Sequence, residues 1–123
     1  MKRSESQEDY LESILQISKE KNNVHAIDIA RALSFSKPSV SVAMNKLKEL
    51  GYIEVNEKGE IFLTKEGLVI AEKTLEKHIM LTELLIDLGV DEETANEDAC
   101  RMEHDISDKT WEAIKNHVQQ NKK

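Results

Sequence analysis

Apolar residues recur along the first part of the chain at the three- and four-residue intervals of amphipathic helices. The apolar positions between residues 7 and 21 are Tyr10, Leu11, Ile14, Leu15 and Ile17. They form two adjacent rows and predict a first helix packed on a core. The segment VHAIDIARALS predicts a short second helix. A third helix is predicted from an N-cap at Ser36, with Pro38 in its first turn, until Gly51 ends it.

After Gly51 the apolar period changes from that of a helix to that of a strand. The segment YIEVNEKGEIFLT alternates apolar and polar residues on both sides of NEKG, which predicts two short strands joined by a tight turn. Two short helices, a tight turn and a hairpin follow the order of a winged helix-turn-helix. We therefore predict a mainly α fold with a winged helix-turn-helix N-terminal domain over residues 1–70.

The remaining residues, 71–123, predict an all-helical second domain. A long helix is expected from Lys65 to about Leu88, and Asp91 is expected to cap the next one. A last helix is expected from about Asp108 to Gln119. The predicted buried seam of the long helix is Ala71, Leu75, His78, Thr82 and Leu85. The predicted buried seam of the fifth helix is Ala95, Ala99, Met102 and Ile106.

The charge of the 123-residue chain is unevenly distributed along its length. The net charge is −7, which argues against general affinity for nucleic acid. Residues 31–65, however, hold six Lys or Arg against four Glu, whereas the rest holds eleven against twenty. The middle of the chain is therefore the part suited to face phosphate.

The polar face of the third helix predicts contact with double-stranded DNA. Hydroxyls, an amide and cations suit phosphates and base edges, and this face has no acid before Glu49. The predicted contacts are Ser36, Lys37, Pro38, Ser39, Ser41, Asn45 and Lys46, with Lys58 in the hairpin turn. An ordinary solvated helix is the alternative interpretation.

A cytoplasmic location is the default expectation from composition. One cysteine cannot form an internal disulfide, no apolar segment follows the opening MKRSESQEDY, and no run of about 18 apolar residues occurs. We expect no membrane partner and no small organic substrate.

The stretch DACRMEHD places the only cysteine, Cys100, at helical spacing from Glu103 and His104. Offsets of three and four residues bring side chains together on a helix, so the three could converge on a metal ion beside the core seam. A lone cysteine is more often a small buried hydrophobe, and Glu-His pairs occur by chance. The trio alone leaves both interpretations open.

The chain resembles the diphtheria-toxin-repressor family of metal-dependent bacterial repressors, especially its short, two-domain, manganese-responsive branch. The resemblance rests on EDYLESI, DIARAL, SKPSVSVAMNKLKELGYI, LTKEG, EKHIMLTELL and ACRMEH in this order. It implies a homodimer that binds a palindromic operator when divalent metal lies between the N-terminal domain and the dimerisation helices. It also implies repression of metal-uptake genes. Carried over by position, the implied metal ligands are Asp9, Glu12, His78, Cys100, Glu103 and His104.

The residues themselves are compatible with this ligand set. Asp9 and Glu12 share a helix face, and His78 interrupts an apolar seam. If Cys100 ionises, the set carries four negative charges, which two divalent ions per subunit would balance. Thiolate favours Fe(II) or Zn(II) and carboxylates favour Mn(II), so Fe(II) or Mn(II) is expected, with a modest preference for iron.

The chain departs from the family pattern at two positions outside this ligand set. The family's acid four residues after the helix-four histidine is Thr82 here, and its histidine four residues before the thiol is Asn96, which puts an ancillary metal site in doubt. Two other functions stay open at this point: a metal-independent winged-helix regulator and a small metal-dependent hydrolase. Against the hydrolase, the chain offers no spare general base near the ligands.

A dimer is also expected from the last helix. It carries Trp111, Ile114 and Val118 on one side, and little chain remains to cover them. We therefore predict these three residues at the subunit interface, consistent with the two-fold symmetry that a palindrome requires.

Overall fold

The computed structural model describes residues 5–120, which form six helices and one two-stranded sheet. The elements are α1 (Glu5–Glu20), α2 (Ala26–Leu33), α3 (Lys37–Glu49), β1 (Ile53–Val55), β2 (Ile61–Leu63), α4 (Lys65–Asp87), α5 (Glu92–Asp105) and α6 (Asp108–Gln120). The predicted order of helices and hairpin is confirmed. Among these residues, no helix combines the length and the apolar character that a membrane span requires.

The chain divides into two compact units, which we call the N-terminal unit (Met1–Lys73) and the C-terminal unit (Thr74–Lys123). The division falls inside α4, close to the predicted boundary after residue 70. Each unit is described by itself below.

The N-terminal unit packs α1, α2 and α3 with the hairpin around an aliphatic core. The fully buried core side chains are Leu11, Ile14, Ile29, Val40, Leu47 and Ile53. Ser36 caps α3, its Oγ accepting a hydrogen bond from the Ser39 backbone N–H at 3.3 Å. The cap supplies an acceptor for one of the N–H groups that the first turn cannot satisfy.

The hairpin pairs β1 with β2 in antiparallel register, with Ile53 opposite Leu63 and Val55 opposite Ile61. The Ile61 N–H also donates to the Val24 carbonyl at 2.8 Å, which ties β2 to the segment before α2. This bond and the burial of Ile53 and Ile61 hold the hairpin against the helices.

The start of α4 is held against the hairpin by a close backbone approach. The Thr64 Oγ1 donates to the Gly51 carbonyl at 2.6 Å and accepts from the Gly67 N–H at 3.2 Å. A Cβ on Gly67 would lie 1.9 Å from the Tyr52 carbonyl oxygen. Only glycine permits this contact, so Gly67 is a packing requirement and not a helix breaker.

Two predicted seams of the C-terminal half need correction. In α4 the buried positions after Gly67 are Ala71, Thr74, Lys77 and Leu81, while Leu75, His78, Thr82 and Leu85 are partly exposed. In α5 the buried positions are Ala95, Ala99 and Glu103. Met102 and Ile106, which we predicted in that seam, are partly exposed. Hydrophobicity misplaces these seams because it assigns Thr74, Lys77 and Glu103 to the surface, whereas the packing of the helices buries them.

Candidate functional sites

Glu103 is a buried carboxylate in the C-terminal unit. It lies on α5 and is 2% exposed, directly in line with Ala95 and Ala99 at four-residue steps. Neither carboxylate oxygen has a hydrogen-bond partner among the described residues. Burying an ionised carboxylate without hydrogen bonds is costly unless an opposite charge compensates it. Glu103 therefore marks a position where a cation would be stabilised.

Two imidazoles face the two oxygens of Glu103. His78 comes from α4, and its Nδ1 lies 3.3 Å from Glu103 Oε2. His104 follows Glu103 on α5, and its Nε2 lies 3.5 Å from Glu103 Oε1. The two histidine side chains are 22% and 3% exposed. The carboxylate thus lies between two nitrogen donors supplied by two helices.

Cys100 adds a sulfur donor to the same group. It precedes Glu103 by three residues on α5, and the reactive atoms of Cys100, Glu103 and His104 all lie within 4.8 Å of one another. Cys100 itself is exposed. The predicted convergence of the trio is therefore observed, with Glu103 buried rather than beside the core.

The spacing of these atoms fits a divalent ion. Two donors bound to one ion at about 2.1 Å each lie roughly 3 to 3.5 Å apart. The two measured nitrogen to oxygen distances, 3.3 and 3.5 Å, fall in this interval. Imidazole, carboxylate and thiolate are ligands of Fe(II), Zn(II) and Mn(II) in different proportions. The donor set and its spacing therefore suit a transition metal.

The orientation of His78 depends on residues that the sequence did not identify as ligands. Asn96 Oδ1 lies 3.2 Å from His78 Nε2, and the Asn96 Nδ2 donates to the Glu92 carbonyl at 3.0 Å. Thr82 donates its hydroxyl to the His78 carbonyl at 2.7 Å. The four-residue offset from Thr82 to His78 was visible in the sequence, but the contact of Asn96 across helices was not.

The other two predicted ligands belong to the N-terminal unit. Asp9 and Glu12 lie on α1, three residues apart and both partly exposed, so they share a face of the helix as expected. Glu12 accepts a hydrogen bond from Gln16 Nε2 at 3.1 Å. Burial of the neighbouring Tyr10, together with the charge of Asp9, raises the pKa of the tyrosine.

The face of α3 that was predicted to contact DNA is exposed to solvent. All seven predicted positions on and before this helix are exposed: Ser36, Lys37, Pro38, Ser39, Ser41, Asn45 and Lys46. The sequence reasoning passed over Val42, which is 71% exposed although it is apolar. Its place off the Val40, Met44 and Leu47 row was the available signal. Val42, Ser39 and Lys46 also border a depression of about 290 Å³ that reaches Tyr10.

The hairpin turn that carries Lys58 has a defined shape. The Asn56 Oδ1 accepts hydrogen bonds from the Lys58 N–H at 3.0 Å and from the Glu60 N–H at 2.9 Å. Gly59 adopts a φ of +79°, a conformation that glycine tolerates best. Lys58 is exposed at the tip of this turn.

The expectation that the chain leaves Trp111 and Val118 uncovered is wrong. They are 2% and 5% exposed, and Ile114 is partly exposed. The chain itself therefore covers these two side chains. The exposed large apolar residues in the described part of the C-terminal unit are instead Ile79, Ile86 and Leu88, at 47%, 42% and 71%.

Family comparison gives matches along nearly the whole chain. Residues 2–61 match the model of the iron dependent repressor N-terminal DNA binding domain. Residues 64–123 match the model of the iron dependent repressor metal binding and dimerisation domain.

Individual proteins show the same similarity. An uncharacterized HTH-type transcriptional regulator of Methanocaldococcus jannaschii is 39% identical over 114 residues, which cover 91% of each chain. The transcriptional regulator MntR of Escherichia coli is 34% identical over 113 residues, which cover 92% of this chain and 73% of MntR.

Two solved structures share the fold. The manganese regulator SloR has a TM-score of 0.82 at 27% identity, over 92% of this chain and 53% of the SloR chain. The IdeR of T. acidophilum has a TM-score of 0.80 at 29% identity, over 95% of this chain and 55% of its own. This chain therefore spans about half the length of these two solved chains.

Proposed function

Because this chain belongs to the iron-dependent repressor family of metal-dependent transcriptional regulators, we propose that it represses transcription when a divalent transition metal is bound. The proposed target is a palindromic operator, and the proposed setting is cytoplasmic control of metal-uptake genes. The family and the relatives are transcriptional regulators and not enzymes, so the hydrolase alternative has no support. A metal-independent regulator is not favoured by a family model that contains a metal-binding domain.

The observation that carries the proposal is the environment of Glu103. Glu103 is 2% exposed, an imidazole faces each of its oxygens, and neither oxygen has a hydrogen-bond partner in the part of the chain that the structure describes. Such a buried carboxylate is costly without a cation. A bound divalent ion would remove that cost. The free-energy cost of the buried carboxylate in the metal-free protein therefore favours metal binding.

The proposed ligand set joins these residues to two acids of α1. The set is Asp9, Glu12, His78, Cys100, Glu103 and His104. The role of Asp9 and Glu12 is taken from the family resemblance and from their shared helix face. Fe(II) or Mn(II) is the proposed ion, and two ions per subunit would balance the acids. Cys100 supplies the soft ligand that favours iron over manganese.

The proposed DNA-reading element is α3, with the hairpin turn beside it. Lys37 and Lys46 are proposed to contact phosphates, and Ser39 and Ser41 base edges. Val42 adds an exposed apolar group of the kind that contacts a thymine methyl in the major groove. Asn45 and Lys58 complete the proposed contacts.

A homodimer is supported by the dimerisation domain that residues 64–123 match. Trp111, Ile114 and Val118 were predicted at its interface, but two of them are buried in the single chain. We therefore propose that Ile79 and Ile86, seven residues apart on α4, contribute the apolar contact. Sedimentation should show a dimer for the wild type and a larger monomer fraction for Ile86→Asp. An unchanged dimer in that variant would exclude this surface.

The proposed switch follows from the origin of the ligands. Two acids come from α1 of the DNA-binding domain and four ligands from α4 and α5, so a bound ion would restrict the mobility of one domain with respect to the other. Operator binding would then cost less conformational entropy. Coupling of this kind is typically about 1 to 3 kcal/mol, which is roughly a 5-fold to 150-fold change in operator affinity.

The test is an anaerobic operator titration with Fe(II), Mn(II), Zn(II) or chelator. The wild type is compared with an Asp9→Ala, Glu103→Ala double variant. A Glu20→Ala, Glu97→Ala variant is the matched control, because it removes two exposed acids from the same two helices. We expect metal to raise operator affinity for the wild type and the control only. Equal, metal-independent affinities for all three proteins would reject the proposal.

A further inference from the structure

Asn96 has a hydrogen-bonding arrangement that fixes which of its atoms faces His78. Its Nδ2 donates to the Glu92 carbonyl one turn earlier, at 3.0 Å. The amide is planar, so Oδ1 is the atom that points toward α4. It lies 3.2 Å from His78 Nε2.

An amide oxygen only accepts hydrogen bonds, so this contact favours one tautomer of His78. The Nε2 must carry the proton for the 3.2 Å contact to be a hydrogen bond. In the neutral ring the lone pair is then on Nδ1, the nitrogen that lies 3.3 Å from Glu103 Oε2. Two acceptors face each other there, an arrangement that a cation between them would make favourable.

We propose that Asn96 is a positioning residue that holds His78 in the Nε2–H tautomer, so that Nδ1 is available to the metal. This inference rests on the proposed metal-dependent function. It adds a residue outside the six proposed ligands and assigns it a distinct task. A partner on the second ring nitrogen is the usual means by which a protein orients a histidine ligand.

Removing Asn96 changes where the His78 proton is most stable. Without the amide oxygen, the Glu103 carboxylate remains as an acceptor 3.3 Å from Nδ1. The proton would then move to Nδ1 and be hydrogen-bonded to Glu103. Both Nδ1 and one carboxylate oxygen would have to give up this bond before binding metal, so metal affinity should fall.

The experiment compares Asn96→Ala, Asn96→Asp and Asn116→Ala with the wild type. Asn96→Asp keeps an acceptor oxygen at the same position. Asn116→Ala removes an exposed asparagine from α6 and is the control. Two-bond proton–nitrogen spectra of the histidine rings, recorded on metal-free protein at about pH 8, report the tautomer. Comparison with His78→Gln assigns the His78 signals, and chelator competition measures Mn(II) and Zn(II) affinity.

We expect the Nε2–H pattern for His78 in the wild type, Asn96→Asp and the control, and loss of that pattern in Asn96→Ala. Metal affinity should fall about 10-fold to 100-fold in Asn96→Ala, the usual effect of removing a partner of a metal ligand. An Nδ1–H or doubly protonated ring in the wild type would overturn the inference. So would an unchanged tautomer in Asn96→Ala, whatever the affinity. If the wild type bound no metal, the proposed function would fail, while the tautomer comparison would still decide the role of Asn96.

Discussion

The two units of this protein treat their charged groups differently. In the N-terminal unit, the Asp28 carboxylate accepts a hydrogen bond from the His25 backbone N–H at 2.9 Å. It also accepts hydrogen bonds from the Lys21 ammonium at 3.1 and 3.2 Å. In the C-terminal unit, the Glu103 carboxylate is more deeply buried, and neither oxygen has a hydrogen-bond partner among the described residues. One acid completes a helix start, and the other is a proposed metal ligand.

This difference separates the tasks of the two units. The start of α2 is stabilised by contacts within the protein. The Glu103 carboxylate receives no such hydrogen bond from the described residues. Evolutionary optimisation for stability alone would replace such a group with an apolar one, because an apolar residue of similar size is often as stable or more so. The presence of Glu103 at this position therefore supports the proposed metal-binding role.

The largest expected effect is on the stability of the N-terminal unit. Gly67→Ala should lower the free energy of unfolding by about 3 kcal/mol or more, because the new Cβ overlaps the Tyr52 carbonyl. Helix propensity alone would give the opposite sign, a gain of about 1 kcal/mol. Urea unfolding distinguishes the two. Glu66→Ala, at the exposed neighbouring position, is the control, and a more stable Gly67→Ala would refute the close approach.

The next largest effect concerns Glu103, the carboxylate that lacks a hydrogen-bond partner among the described residues. Glu103→Gln keeps the shape and removes the charge, so it should not lower the stability of the metal-free protein. The wild type should gain about 2.7 kcal/mol at a metal concentration 100 times the Kd, and the variant should lose most of this gain. Thermal unfolding with Mn(II) and with chelator measures both quantities, with Glu97→Gln as the control. A full metal-dependent gain in Glu103→Gln would contradict the central role of this carboxylate.

A smaller effect concerns Asp28, whose carboxylate has hydrogen-bond partners within the protein. The hydrogen bond from the His25 N–H, and then the Lys21 ammonium, hold the pKa of Asp28 below its usual 3.8. A lowered folded-state pKa means that the charge stabilises the protein above the unfolded pKa and that this contribution is lost as the pH falls through the folded value. Asp28→Asn should therefore cost about 1 kcal/mol at pH 7.

The pH dependence provides the check on this prediction. The stability difference between wild type and Asp28→Asn should close as the pH falls below 3.8. Urea unfolding at several pH values measures it. Glu54→Gln, an exposed acid of β1, is the control. A difference that grew as the pH fell would reverse the sign and reject the assignment.

The smallest effect concerns the exposed face of α3. Substitutions there should change DNA binding and leave folding intact. Lys46→Ala should weaken binding to all DNA sequences and reduce the slope of log affinity against log salt by about 0.9, the loss of one phosphate contact. Ser39→Ala should mainly relax sequence preference. Lys109→Ala on α6 is the control. If Lys46→Ala changed neither affinity nor salt slope, α3 would not be the DNA-reading helix.

The N-terminal unit was predictable because its signals are local. The cap at Ser36, the proline in the first turn of α3 and the change of period after Gly51 each act within a few residues, and the helices and strands occur where these signals place them. The Cys100, Glu103 and His104 group was predictable for the same reason, since helical spacing alone brings these residues together.

Tertiary structure alone decided which of these residues are buried and which partners they meet. The sequence could not place Glu103 in the core in preference to Met102, because hydrophobicity favours the methionine and only the packing of the helices buries the acid. It could not show that the chain covers Trp111, or that Asn96 meets His78 across 18 residues of sequence. Local spacing determines what lies on one helix face. Burial and partners depend on which faces meet, and that is set by packing over the whole chain.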